Sequence, residues 1–278
     1  MNYKEKREQR FKKICSHFEN EMLSTLLCCV KIDSKLFEKL SNAVSNYLHE
    51  SKKYRLQNKT PNGMLVPKSE IENQFNDVII AYRDILLSLN FSKILSLWSI
   101  PVIRYKEPGA NSENKNNPMR SELPHSDTWI GWDKNSIIIN IPVLGDTDGN
   151  RVNFFKHPED IDESWVQKQK SFEEGAKKFS GKCNLIKPHY NKGYIYIADI
   201  SVIHQTHRNL ECDARVSLDM VKYVDFPKKG DFGIDNTLTY DEIISIGLKN
   251  KLTTPLKMGE IIGESGYKRS TKFKLSKL

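Results

Sequence analysis

The sequence has no apolar run approaching the ~20 residues that cross a bilayer. Its opening, MNYKEKREQRFKK, is charged and leads into no apolar signal core. Neither a membrane span nor an export signal is expected. Cysteine is scarce: the five residues Cys15, Cys28, Cys29, Cys183 and Cys212 form no C-x-x-C pair and are odd in number. That usage argues against a disulfide framework and predicts free thiols in a reducing cytoplasm. Internal repeats are absent. So are blocks of one charge: the net charge is +8, yet Lys and Arg are spread from end to end among Glu and Asp. Dispersed charge is the mark of a solvated surface, and no nucleic-acid partner is expected.

What is present suffices for a full core. The chain has 278 residues, 38% hydrophobic and 10% aromatic, which argues against disorder and allows one large domain or two small ones. The first hundred residues read as mostly helical. Phe11, Ile14, Phe18 and Met22 keep helical spacing, as do Leu36, Leu40, Val44 and Tyr47. A third helix is signalled by Ser69 and Glu72 as a capping box. Beyond residue 97 come short strand-like runs punctuated by turns: LWSIPVIRY, SIIINIPVL, RVNFF, CNLIKP, GYIYIADISVIH and ARVSLDMVKY. One helix, DESWVQKQKSFEEGAKKF, interrupts them, and another is expected around Asp241–Leu248. Many short strands of this kind favour a sandwich or barrel over a parallel sheet. The expected organisation is a single domain, 1–278, with a helical layer (1–96), a β-rich core (97–225) and a C-terminal extension (226–278).

Within the core, LPHSDTW sets His125 and Asp127 one residue apart, so both side chains point the same way on extended backbone. His204 ends the run GYIYIADISVIH and supplies a second imidazole. Two histidines and one carboxylate bind one face of ferrous iron and leave the other positions open. Arg215 opens the next strand, and in Arg215-Val-Ser217 the period of two puts the hydroxyl on the arginine's face. A guanidinium forks onto a carboxylate through two parallel hydrogen bonds. The pair suits the far carboxylate of a dicarboxylic co-substrate such as 2-oxoglutarate.

Taken together, HSDTW, SIIINIPVL, YIYIADISVIHQTHRN and ARVSLDMV resemble the iron(II)- and 2-oxoglutarate-dependent dioxygenases. The closest likeness is to the phytanoyl-CoA hydroxylase-like branch and the oxygenases of carbohydrate gene clusters. The resemblance implies a mainly β protein with N-terminal helices, its core a double-stranded β-helix, the jelly-roll barrel of the cupins. It implies Fe(II) held by His125, Asp127 and His204, and 2-oxoglutarate held by Arg215 and Ser217, with Asn140 as a further polar contact. It also implies hydroxylation of a small molecule with O2, the substrate being a sugar, an activated sugar or a carbohydrate-containing metabolite. The positive balance would tolerate an anionic handle.

Several positions carry two readings. An isolated H-x-D is common by chance, and only its order with a distal His and an Arg gives it weight. His207 competes with His204 but lies three residues on, in a polar turn where a solvent-facing role is more natural. Trp129 is either a platform for a sugar ring or ordinary packing, and Trp132 is packing. Asp219 either orients Arg215 or forms a structural pair. His157 and His189 read as loop residues, and residues 54–63 as a surface loop or a substrate lid. The rival functions are a cupin-type metal isomerase or hydrolase, and a non-catalytic binding module on the same barrel.

Overall fold

Asn2 starts the first helix. Its side chain accepts from the Glu5 amide while Glu5 accepts from the Asn2 amide, forming a capping box. The computed structural model describes residues 1–53, 63–65, 71–91, 94, 101–109, 120–132, 134–187 and 189–223. In it α1 (Tyr3–Cys15) buries Arg7, Phe11 and Ile14. A hairpin follows, β1 (Glu21–Ser24) and β2 (Leu27–Lys31), in a region expected to be mostly helical, with helical spacing as far as Met22. Leu27 to Val30 are all buried, a four-residue apolar block with no 3.6-residue period. Such a run suits a strand covered on both faces. Phe18 and Met22 therefore lie beyond the helix.

Helices α2 (Ser34–Lys53) and α3 (Glu72–Ser88) pack together through Leu40, Val44, Tyr47 and Phe75, the last two with ring centroids 5.5 Å apart. Ser69 of the expected capping box lies outside the described residues, and Ile71 at the cap position offers no side-chain bond. The strands that follow are β3 (Val102–Lys106), β4 (Ser136–Gly145) and β5 (Asn150–Lys156). The single helix expected over 162–179 divides into a 3-10 turn, Glu163–Val166, and α4 (Phe172–Phe179). The break falls where Ser171 caps α4 by accepting from the Glu174 amide. Then come β6 (Asn184–Leu185), β7 (Tyr194–Asp199), β8 (His204–Arg208) and β9 (Arg215–Tyr223). The helix expected at 241–248 and the extension from residue 226 lie outside the described residues, as do residues 54–62 of the suspected lid.

Among the described residues the strands pair antiparallel, in a six-stranded sheet ordered β1-β2-β7-β4-β9-β3 and a three-stranded sheet ordered β6-β5-β8. Register fixes which side chains share a face. Asn140 lies opposite Asp219 and Tyr196, and Arg104 opposite Ser217. One face of the large sheet thus presents Arg104, Lys106, Asn140, Tyr196, Arg215, Ser217 and Asp219. Tyr196 stacks on Phe154 of β5, so this polar face looks toward the small sheet. The opposite face, with Ile137, Ile139, Ile141 and Leu218 all at 0% exposure, belongs to the main apolar core.

The run GYIYIADISVIH is two strands, not one. Asp199 accepts from the Ser201 amide and hydroxyl, folding the backbone into a turn after Asp199. The chain leaves the large sheet there, and His204 begins β8 of the small sheet.

Candidate metal centre

The small sheet gains an edge at His125, which forms a bridge to His204: each amide donates to the other's carbonyl, at 2.9 and 2.8 Å. The two imidazoles are thereby cross-strand neighbours, with ring centroids 4.3 Å apart. Ser126 is extended (φ −109°, ψ 139°), which puts Asp127 on the same side as His125 before the chain enters the turn Asp127–Ile130. The serine points the other way and donates to the Ile200 carbonyl at 2.9 Å. Asp127 Oδ1 is 3.9 Å from Nε2 of each histidine, and one donor atom from each of the three residues lies within 4.8 Å of the others. Two histidines and one aspartate meet at a point.

Both rings are fixed from behind. Nδ1 of His125 lies 2.7 Å from the Leu123 carbonyl, and Nδ1 of His204 lies 3.2 Å from that of Val202. Carbonyls only accept, so both rings carry their proton on Nδ1 and turn the Nε2 lone pair toward Asp127. Phe172 of α4 stacks on His125 at 4.0 Å and 24°. Burial, reinforced by His204, pushes the His125 pKa well below the usual histidine value and keeps the ring a neutral ligand. Burial raises the Asp127 carboxyl, against the pull of His204 and Arg104. A divalent cation at this point would compensate the half-buried carboxylate. His207 sits one residue out of phase on β8, turned to the other side, and bonds Asn209 through Nε2 at 2.8 Å. It lies within the strand rather than in a turn.

Arg215 is 0% exposed, yet Nε and both terminal nitrogens have no hydrogen-bond partner among the described residues. The Tyr190 ring lies 5.2 Å from the guanidinium carbon. A buried guanidinium without acceptors is costly, and a carboxylate is the group that satisfies it bidentately. Ser217, on the same face, donates to Asp219 at 2.8 Å. Asp219 also accepts from Arg104 and Asn140, and Asn140 accepts from the Tyr190 hydroxyl. Of the two readings of Asp219, the structural pair is the one formed, with Arg104 as its cation. Asn140 is built into that network.

Trp129 is not a substrate platform. It is 0% exposed, donates from Nε1 to the Trp165 carbonyl at 2.8 Å and packs on Phe179 in a second apolar cluster with Ile161 and Ile203. Trp132 packs against the main core, as expected. Gly175 of α4 lies so close to Trp129 that an added Cβ would sit 2.3 Å from Cε3. Gly175→Ala is expected to cost about 1–3 kcal/mol of stability by overpacking, measurable in thermal unfolding.

His157 also departs from expectation. Rather than a loop residue, it is 4% exposed and its Nε2 bonds the Ser201 carbonyl at 2.9 Å, bracing the turn before His204. Burial pushes its pKa down to about 4. Unfolded chains protonate histidine near ~6.5, so stability held above that pH is lost as the pH falls toward 4, by about 3 kcal/mol. Urea unfolding at pH 7 and pH 4.5 reads this loss, and His157→Gln should flatten that part of the profile.

Sequence reasoning missed Arg104, Lys106, Phe172 and Tyr190. The first two had a signal: Arg104 and Lys106 alternate in VIRYK and share the inner face with Ser217 and Arg215. Lys106 is 3% exposed and donates to Ser121 at 2.7 Å. Phe172 and Tyr190 reach the site through tertiary packing that no local pattern announces.

No family model and no curated protein matches the chain. Solved structures are similar to it in part. The non-haem, α-ketoglutarate-dependent carbocyclase SnoK from nogalamycin biosynthesis has a TM-score of 0.47 at 11% identity, covering 76% of this chain and 88% of its own. AviO1 from Streptomyces viridochromogenes Tue57 has 0.46 at 10% identity, over 81% and 96%. EctD from S. alaskensis, solved with 2-oxoglutarate and 5-hydroxyectoine, has 0.45 at 13% identity, over 71% and 72%. At such values the chemistry has to be read from the side chains.

Proposed function

We propose that the protein is an iron(II)- and 2-oxoglutarate-dependent oxygenase that hydroxylates a small molecule. One observation carries this reading: an interior with two imidazoles and a carboxylate at one point also holds a buried, unsatisfied guanidinium in Arg215. The donor set suits Fe(II), and the orphaned cation suits the far carboxylate of 2-oxoglutarate. A metal isomerase or hydrolase on the same ligands would leave Arg215 with no task. The two antiparallel sheets support a double-stranded β-helix, read as one domain over residues 1–278, and the odd, unpaired cysteine count supports a cytoplasmic setting.

In this reading His125, Asp127 and His204 hold the iron, while Arg215, with the Ser217 hydroxyl beside it, holds the co-substrate. When bound, iron with 2-oxoglutarate and O2 supplies the oxidising power for C–H hydroxylation, leaving succinate and CO2. The chain's own contribution is positional. The Leu123 and Val202 carbonyls keep both imidazoles in one tautomer, and Phe172 covers His125 against water. The substrate class we favour is a sugar, an activated sugar or a carbohydrate-containing metabolite. Arg104 and Asp219, each partly exposed, set a donor beside an acceptor on the inner face, which suits a hydroxyl-rich ligand. Succinate release from 2-oxoglutarate tests the reading. It should require added Fe(II) and stop in Asp127→Ala. A metal-loaded protein that consumes no 2-oxoglutarate with a panel of sugars and nucleotide sugars would reject it.

A further inference from the structure

The turn between β7 and β8 touches both halves of the metal centre. Its Val202 carbonyl receives the His204 Nδ1 proton, and its Ile200 carbonyl receives the hydroxyl of Ser126, the residue between His125 and Asp127. Besides His157, the turn is held from the far end of the sequence. Arg7 of α1 forks onto Asp199, with Nε to Oδ1 at 2.8 Å and a terminal nitrogen to Oδ2 at 2.9 Å, and it donates to the Lys134 carbonyl at 2.9 Å. Asp199 is 0% exposed, and the oxygen that takes Nε also accepts from the Ser201 amide and hydroxyl. A bidentate pair fixes orientation as well as distance. A carboxylate held in this way leaves the turn little freedom, and through the two carbonyls it leaves the ligands little freedom.

Resting on the metal-centre reading, we propose that Arg7 and Asp199 are positioning residues of that centre: the N-terminal helix sets metal affinity from outside the ligand shell. Neither residue touches the metal. By reciprocity, metal binding must in turn tighten the clamp.

Two measurements on the full chain test this, with Co(II) as the probe. In the parent protein, Co(II) should slow amide exchange in residues 199–204 and also in α1 around Arg7, while α2 is unchanged. Protection confined to residues 125–127 and 204 would overturn the proposal. Second, Arg7→Met combined with Asp199→Asn removes both members of the clamp together, while Arg10, 3.7 Å from Asp199 Oδ2 and partly exposed, keeps its bond to the Asn135 carbonyl. Folded by circular dichroism, this variant should bind Co(II) about 10-fold to 100-fold more weakly, the range for lost outer-shell partners, with altered visible bands. A folded double variant within twofold of the parent would also overturn it. If the parent itself binds no Co(II), the metal-centre reading fails instead, a separate result.

Discussion

His204→Ala should abolish metal binding and 2-oxoglutarate turnover, while His207→Ala should largely keep both. The two residues share a strand and a residue type, and only their phase on β8 separates them. His204 stands across from His125 with Nε2 3.9 Å from Asp127, whereas His207 is turned away onto Asn209. Loss of a ligand should exceed the ~10- to 100-fold cost of losing an outer-shell partner. Isothermal titration with Fe(II) under argon, alongside succinate assays, measures both variants. The reverse outcome would reassign the ligand and displace the centre from the position described.

Arg215→Met separates stability from function. Its guanidinium is buried, and among the described residues its three nitrogens have no hydrogen-bond acceptor, only the Tyr190 ring beside them. Replacement by an unbranched apolar chain should therefore stabilise the ligand-free fold, by about 1–3 kcal/mol in urea unfolding. The same change should weaken 2-oxoglutarate by about 2–5 kcal/mol, roughly 30-fold to several-thousand-fold, the cost of truncating one partner of a buried charge pair. Stabilisation with loss of the co-substrate is the pattern of a residue kept for its ligand. A variant that unfolds more easily and binds 2-oxoglutarate normally would make Arg215 a structural residue.

The residues proposed to bind were legible because short-range spacing carries them. His125-x-Asp127 and Arg215-x-Ser217 are period-two statements about one face, and the structure keeps both pairs on a common side. Strands β4, β5 and β9 were legible for the same reason, as apolar runs bounded by turns. Misreadings arose where long-range contacts decide. The block Leu27–Val30 is a strand because β7 lies beside it, and no periodicity distinguishes that from buried helix. The turn at Asp199, which carries His204 from one sheet to the other, was hidden inside an apolar run. Trp129 looked like a candidate platform because it neighbours Asp127, yet the turn that follows the aspartate swings the ring into the second apolar cluster. The clamp of Arg7 on Asp199, 192 positions apart, has no local signature at all.

The central claim is one interior shared by a ferrous ion and a dicarboxylate. Anaerobic titration with Fe(II) and then 2-oxoglutarate tests it most directly, by the weak visible charge-transfer band of the chelate. That band should develop in the parent protein and vanish in His204→Ala, and Arg215→Met should require far more 2-oxoglutarate to reach it. Tight Fe(II) binding with no band at any 2-oxoglutarate concentration would contradict the account.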